Sequence, residues 1–101
     1  MEQGGYIYIM TNKTNKVLYV GVTSNLSARV YEHKSNIYTK SFTARYNVHK
    51  LVYFEVFDSI EEAIEREKLL KKWQKAWKYS LIEKSNQNFD DLYDLIKEDY
   101  T

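Results

Sequence analysis

The stretch from Tyr6 to Gly21, YIYIMTNKTNKVLYVG, constrains this chain more than any other. Tyr6-Ile7-Tyr8-Ile9-Met10 and Val17-Leu18-Tyr19-Val20 have the β-branched and aromatic content of strands. Thr11-Asn12-Lys13-Thr14-Asn15-Lys16 between them has the composition of a turn. A β-hairpin is predicted. With Lys13 and Thr14 as the loop, Tyr8 lies opposite Tyr19, and a longer loop about the same centre keeps that pairing. Alternation then puts Ile7, Ile9, Leu18 and Val20 on one face and the two tyrosines on the other.

Downstream, Thr23-Ser24-Asn25 offers N-cap residues for a helix from about Leu26 to His33 or Asn36. Leu26, Val30, His33 and Ile37 recur at helical spacing, and Arg29 and His33 are neighbours one turn apart. Residues 36–49 predict a loop with one helical turn, in which Tyr38, Phe42 and Tyr46 are four apart. Residues 51–57, LVYFEVF, are apolar enough for a strand buried on both faces over part of its length. Ser59 and Glu62 have capping-box spacing and open a helix expected to reach Trp77. A further helix is expected from about Tyr79 to Lys84, then a short amphipathic one from Phe89 to Asp99 with Phe89, Leu92 or Tyr93, and Ile96 inward. The order predicts a small α+β domain.

A chain of 101 residues is one domain and buries roughly 60–68% of its unfolded surface. It has no cysteine, which excludes disulfides, thiolate zinc sites and cysteine nucleophiles. Its apolar runs are too short for a membrane span, and no signal-peptide pattern opens it. A cytoplasmic location with no membrane partner is the expectation. Ten tyrosines suit a wet, partly exposed site; they also fit a biased Asn-, Lys-, Ile- and Tyr-rich residue usage. Residues 1–50 hold seven Lys/Arg against Glu2 and Glu32, and residues 51–101 hold eight against twelve acids. A basic half followed by an acidic one permits a nucleic-acid partner.

Four groups of residues bear on chemistry. Glu67 falls within the inward stripe Ile60, Ala63 or Ile64, Leu70, Trp73 or Gln74, and Trp77. A carboxylate there is either a metal ligand, a salt-bridge partner of Arg29 or a lysine, or a stripe-edge group reaching water. Arg29 can face a phosphate oxygen and His33 can pass a proton, or they are an exposed cation and a hydrogen-bonded core imidazole. The tyrosine pair is packing unless a metal, cation or histidine stabilises a phenolate. Lys68, Lys71, Lys72, Lys75 and Lys78, with Arg66, surround Trp73 and Trp77. They form either a phosphate-tracking ridge with an aromatic platform or a solvated helix face.

Together these residues resemble a GIY-YIG nuclease domain. Tyr6-Ile7-Tyr8 stands for the first half-motif, with tyrosine where the family usually has glycine, and Tyr19-Val20-Gly21 stands for the second. Arg29, His33 and Glu67 follow in the family's order. Asn86 heads a segment similar to the ending of the short stand-alone members, and Gln87 departs from their usual proline. The resemblance spans roughly residues 4–93. It implies a three-stranded antiparallel sheet flanked by helices, with a core over about 4–84 and a helical extension over about 86–99 of a single domain, 1–101. It also implies one divalent cation, Mg²⁺ or Mn²⁺, held by Glu67. Tyr8 is then the base or water-orienting phenol helped by His33, Arg29 neutralises developing charge, and Tyr19 positions water or phosphate. Both phenols are expected to face a cleft shared with Arg29, His33 and Glu67. Lys34, Lys40, Arg45, Lys71 and Asn86 are the expected substrate contacts.

The expected activity is metal-dependent hydrolysis of DNA phosphodiester bonds, structure-directed or weakly specific, or with specificity borrowed from a partner protein. The alternatives are a non-catalytic nucleic-acid-binding module of the same fold and a protein-interaction module docking through the acidic tail.

Overall fold

The computed structural model describes residues 4–37 and 40–97. Its elements run β1 (Gly5–Thr11), β2 (Leu18–Thr23), α1 (Leu26–Lys34), α2 (Phe42–Arg45), β3 (Lys50–Phe57), α3 (Ile60–Lys72), α4 (Lys75–Ser85) and α5 (Tyr93–Ile96). The strands form one antiparallel sheet in the order β2-β1-β3, so β1 is central. This is the α+β architecture expected from the sequence.

The hairpin forms, with a different centre. Tyr8 pairs with Gly21, and Tyr19 pairs with Met10. The connection is six residues rather than two, because Asn12 organises it. The Asn12 Oδ1 atom accepts from the backbone N–H groups of Lys16 and Val17. Asn15, at φ 60°, supplies the left-handed turn residue, a conformation that asparagine tolerates better than most side chains. The shift is by two residues, and side chains alternate with period two. The predicted faces therefore survive the error.

Each face of the sheet buries its own core. On one, Ile7, Ile9, Val20 and Val52 pack with Ala63, Leu70, Ile82 and Phe89, under α3, α4 and the segment after them. On the other, Tyr8, Met10 and Leu51 pack with Leu26, Val30 and Val48, and Tyr93 and Ile96 border the cluster. A bulge in the β1–β3 pairing between Ile9 and Met10 lets Leu51 share a face with Phe54, and Val52 with Tyr53, against simple alternation. The apolar run at 51–54 thus feeds both cores.

The helices follow their caps. Asn25 accepts from the Ala28 N–H at the start of α1, and Ser59 accepts from the Glu62 N–H at the start of α3. The helix expected to continue to Trp77 instead ends at Lys72. Trp73 and Gln74 both take extended ψ values, 148° each, and α4 starts anew. The new direction lays Ile82 into the core and Tyr79 against it. Trp77 is left exposed rather than inward.

The helix expected over 89–99 is reduced to α5; positions 98 and 99 lie outside the described residues. What precedes α5 is held by Asn86. This buried amide donates to the Val52 carbonyl at 3.0 Å and the Asp90 carbonyl at 2.8 Å, and accepts from the Asp90 N–H at 3.0 Å. Leu92 then donates its N–H to the Leu51 carbonyl at 2.7 Å, and Asp91 accepts from the Leu51 N–H. Asn86→Ala strands the Val52 carbonyl among apolar side chains. We expect it to lower unfolding free energy by about 1–3 kcal/mol, read as a lower urea midpoint at unchanged m-value.

Candidate active site

Tyr8 stands in the middle of the central strand and is 1% exposed. Its ring rests on Gly21 of β2. A Cβ at position 21 would lie 2.4 Å from both Cζ and the hydroxyl oxygen of Tyr8. The hydroxyl meets His33 Nε2 at 2.9 Å. His33, in the last turn of α1, is itself buried, and its Nδ1 meets Thr43 Oγ1 of α2 at 2.8 Å. Arg29, one turn before His33, reaches the same phenol and also donates to Glu32 at 3.0 Å.

Burial sets the charge states. Desolvation pushes the Tyr8 phenol far above its usual value; Tyr19 adds to this, and the Arg29 guanidinium only partly opposes it. Desolvation, then Arg29, pushes the His33 imidazole down to about 4. At neutral pH the pair is a protonated phenol against a neutral imidazole, with a guanidinium beside them.

Tyr19, half-buried on edge strand β2, joins this group to the surface. Its ring centroid is 6.2 Å from that of Tyr8, 5.4 Å from that of His33 and 6.1 Å from that of Phe42, on which it stacks. Phe42 in turn lies 4.7 Å from Tyr46, and both are exposed. Leu18, Tyr19, Val20 and Phe42 line one wall of a groove of about 370 Å³, which Lys71 and Lys78 close on the other side. An adjoining hollow continues past Lys16, Trp73 and Lys75.

A match to the GIY-YIG catalytic domain covers residues 4–80 of this chain. The chain belongs to the GIY-YIG family. A UPF0213 protein of Syntrophus aciditrophicus is 36% identical over 80 residues, spanning 79% of this chain and 91% of that protein. One from Clostridium perfringens is 40% identical over 77 residues, spanning 76% and 81%. The solution NMR structure of a UPF0213 protein from Bacillus halodurans superposes with a TM-score of 0.55 at 24% identity, covering 94% of this chain and 99% of that one. The last likeness is one of fold.

Within this GIY-YIG domain the five expected catalytic residues do not share one open cleft. Tyr8, Arg29 and His33 converge, with Tyr19 against them. Tyr8 does not face solvent as expected: the space left by Gly21 lets the whole ring enter the core. Glu67 lies on α3, which covers the opposite face of the sheet. Its side chain is 15% exposed, and Lys71 Nζ stands 3.4 Å from Oε2. The free edge of β2 separates it from the tyrosines, and Lys71 lines the groove along that edge. Among the described residues no group of three His, Cys, Asp or Glu side chains could hold a metal ion. A cation here would take one carboxylate, that of Glu67, with water and substrate oxygens completing its shell. That donor set suits Mg²⁺, which dehydrates reluctantly and is often bound through one or two carboxylates.

The expected substrate contacts divide. Lys71 lines the groove. Lys40 and Arg45 are exposed, with Arg45 6.0 Å over the Tyr46 ring. Lys34 is paired with Asp91 and lies 5.2 Å over the Tyr93 ring. Asn86 is no surface contact at all, because its amide is consumed inside the protein. Thr43 was invisible in sequence; the Ser41 side chain, which accepts from the Ala44 N–H, was the available signal for the short helix that carries it. No helix among the described residues is long and apolar enough to cross a membrane.

Two outcomes follow from the Tyr8 environment. Gly21→Ala forces the Tyr8 ring to move, and we expect a loss of about 1–3 kcal/mol in stability, the range for overpacking a core, measured by denaturant unfolding. Unfolding His33 frees it to protonate near its ordinary value of 6.5, whereas the folded group resists protonation down to about 4. The unfolded state therefore binds more protons between those values, and stability falls as pH drops through that window. His33→Gln should flatten that part of the stability–pH curve; an unchanged slope would show that His33 does not cause it.

Proposed function

We propose that the chain is a metal-dependent nuclease that hydrolyses phosphodiester bonds in DNA. The observation that carries the reading is the buried Tyr8–His33 pair with Arg29 beside it, next to a lysine-lined groove at Tyr19. Burying a phenol and an imidazole together beside a partly exposed guanidinium costs stability, and such local costs gather at functional sites. Membership of the GIY-YIG family supports the same chemistry.

In this reading the lysines along the β2 edge attract the phosphate backbone, and Tyr19, Phe42 and Tyr46 offer it an aromatic flank. Tyr19 meets the phosphate or the attacking water. Tyr8 can take a proton from that water only by passing its own to His33 Nε2, so the two act as one base. Arg29 neutralises charge developing on the phosphoryl oxygens. Glu67 is the group that would hold Mg²⁺ or Mn²⁺, and a bound divalent cation supplies Lewis acidity at the scissile phosphate. Cleavage is directed by DNA structure, weakly specific, or guided by a partner protein, and a cytoplasmic location fits this activity.

The test is incubation of the purified protein with plasmid, branched and single-stranded DNA, with Mg²⁺, with Mn²⁺ and with chelator. We expect cutting that the chelator abolishes. Glu67→Ala should slow it by about 10²-fold or more, the scale for losing one transition-state charge stabiliser. No cutting of any substrate, or equal cutting by Glu67→Ala, overturns the catalytic reading. Salt-dependent but metal-independent binding without cleavage would instead favour a nucleic-acid-binding module.

A further inference from the structure

Thr43 has no part in the chemistry just described, yet its hydroxyl meets the far side of the His33 ring, 2.8 Å from Nδ1. It is 3% exposed. Its own geometry is fixed from two directions. The Val48 N–H donates to its carbonyl at 2.8 Å, and its hydroxyl lies 3.2 Å from the Ser41 hydroxyl, which caps α2 by accepting from the Ala44 N–H. A chain of side-chain contacts thus runs from Ser41 through Thr43 and His33 to Tyr8.

A neutral imidazole has one N–H and one lone pair, and the partner of one nitrogen decides the state of the other. Tyr8 and Thr43 both carry hydroxyls that can donate or accept. Arg29 can only donate, so at Tyr8 it takes up acceptor capacity and leaves the phenolic proton to go to His33 Nε2 or to the Tyr19 hydroxyl, and the imidazole lone pair is the stronger acceptor. A phenol is also a more acidic donor than an alcohol, and gains more from the single imidazole lone pair. Resting on the nuclease reading for its catalytic consequence, and on geometry alone for the tautomer, we infer that Thr43 is a positioning residue: it accepts from His33 Nδ1–H and so holds Nε2 bare to receive the Tyr8 proton. Without that acceptor, the imidazole proton shifts to Nε2, and Nε2 then points an N–H at the phenol it is meant to deprotonate. The Thr43 hydroxyl proton is free to go to Ser41.

The decisive measurement is a long-range ¹H–¹⁵N correlation spectrum of the histidine side chains of the full chain at neutral pH. There are two histidines, so His49→Gln assigns the His33 signals. We expect wild type and Thr43→Ser to carry the proton on Nδ1, with Nε2 unprotonated. Thr43→Val, nearly isosteric, should lose that state. A wild-type proton on Nε2, or a Thr43→Val spectrum unchanged from wild type, overturns the inference. If Thr43→Val does not fold, the wild-type and Thr43→Ser tautomers decide it. On DNA, Thr43→Val should lower kcat by about 10–100-fold, the scale for partners that orient a ligating or reacting group, with KM unchanged and Thr43→Ser restoring the rate. If wild type cuts no DNA while its proton sits on Nδ1, the nuclease reading falls and the positioning role stands.

Discussion

The hydrogen bond between Tyr8 and His33 holds the structure and the site together. Tyr8 belongs to the central strand, and His33 to the helix that covers one face of the sheet. Both polar groups are withdrawn from water, so each would destabilise the fold by about 1–3 kcal/mol if left unpaired. Paired, they fix where α1 sits on the sheet. Gly21 makes this possible, since only a residue without Cβ leaves room for the ring. The position of Arg29 follows, because it rides one turn before His33 on the same helix. Thr43 follows in turn, because His33 has a second nitrogen to satisfy. One buried contact thus dictates a glycine on β2, a helix docking angle and the place of the short helix α2.

The sheet has a second consequence. Its two faces are both buried under helices, so residues on opposite sides can cooperate only around an edge. Tyr8, Arg29 and His33 lie on one side and Glu67 on the other. β2 is the edge between them, and Tyr19 sits on it. A bare strand edge invites pairing with another chain, and charged side chains are a common guard against that. Here Lys16, Lys71, Lys75 and Lys78 flank the β2 edge. The residues that discourage strand addition also make the groove attractive to a polyanion. One set of lysines therefore meets two demands.

Much of this was legible in the sequence, for identifiable reasons. Strand parity was robust: Ile7, Ile9, Leu18 and Val20 stayed together even though Tyr8 pairs with Gly21 and not with Tyr19, because a shift of two residues preserves faces. The order of Tyr8, Tyr19, Arg29, His33 and Glu67 carried the family. What failed was set by tertiary contacts. No glycine or proline marks the break at Trp73 and Gln74; the burial of Ile82 decides it. Asn86 was expected to contact substrate because it heads the segment that resembles the ending of the short family members, and nothing local reveals that the Val52 carbonyl waits for it. Tyr8 was expected in a cleft because the family resemblance gave it a site shared with Tyr19, Arg29, His33 and Glu67. The space opposite Gly21 was not readable without the true register. Thr43 contacts a residue ten positions away across a loop, beyond any helical or strand period.

The resting ion pairs divide the site's residues into two kinds. Arg29 is bonded to Glu32 at 3.0 Å, three residues along the same helix, and Glu67 stands 3.4 Å from Lys71, four along. Each pairs a site residue with a long flexible side chain at the rim, and pairs of that sort contribute about 0–1 kcal/mol. They keep the guanidinium and the carboxylate from lying uncompensated, and they yield readily to a better partner, such as a phosphate for Arg29 or a cation for Glu67. Tyr8 and His33 are neutral, buried and bonded to groups that cannot leave without strain. The Arg29–Glu32 and Glu67–Lys71 pairs can thus be exchanged, while the Tyr8–His33 pair is held by packing. In the nuclease reading proposed above, that division of labour is the one a phosphoryl-transfer site requires, since the ions must meet a mobile substrate and the base must already be aimed when it arrives.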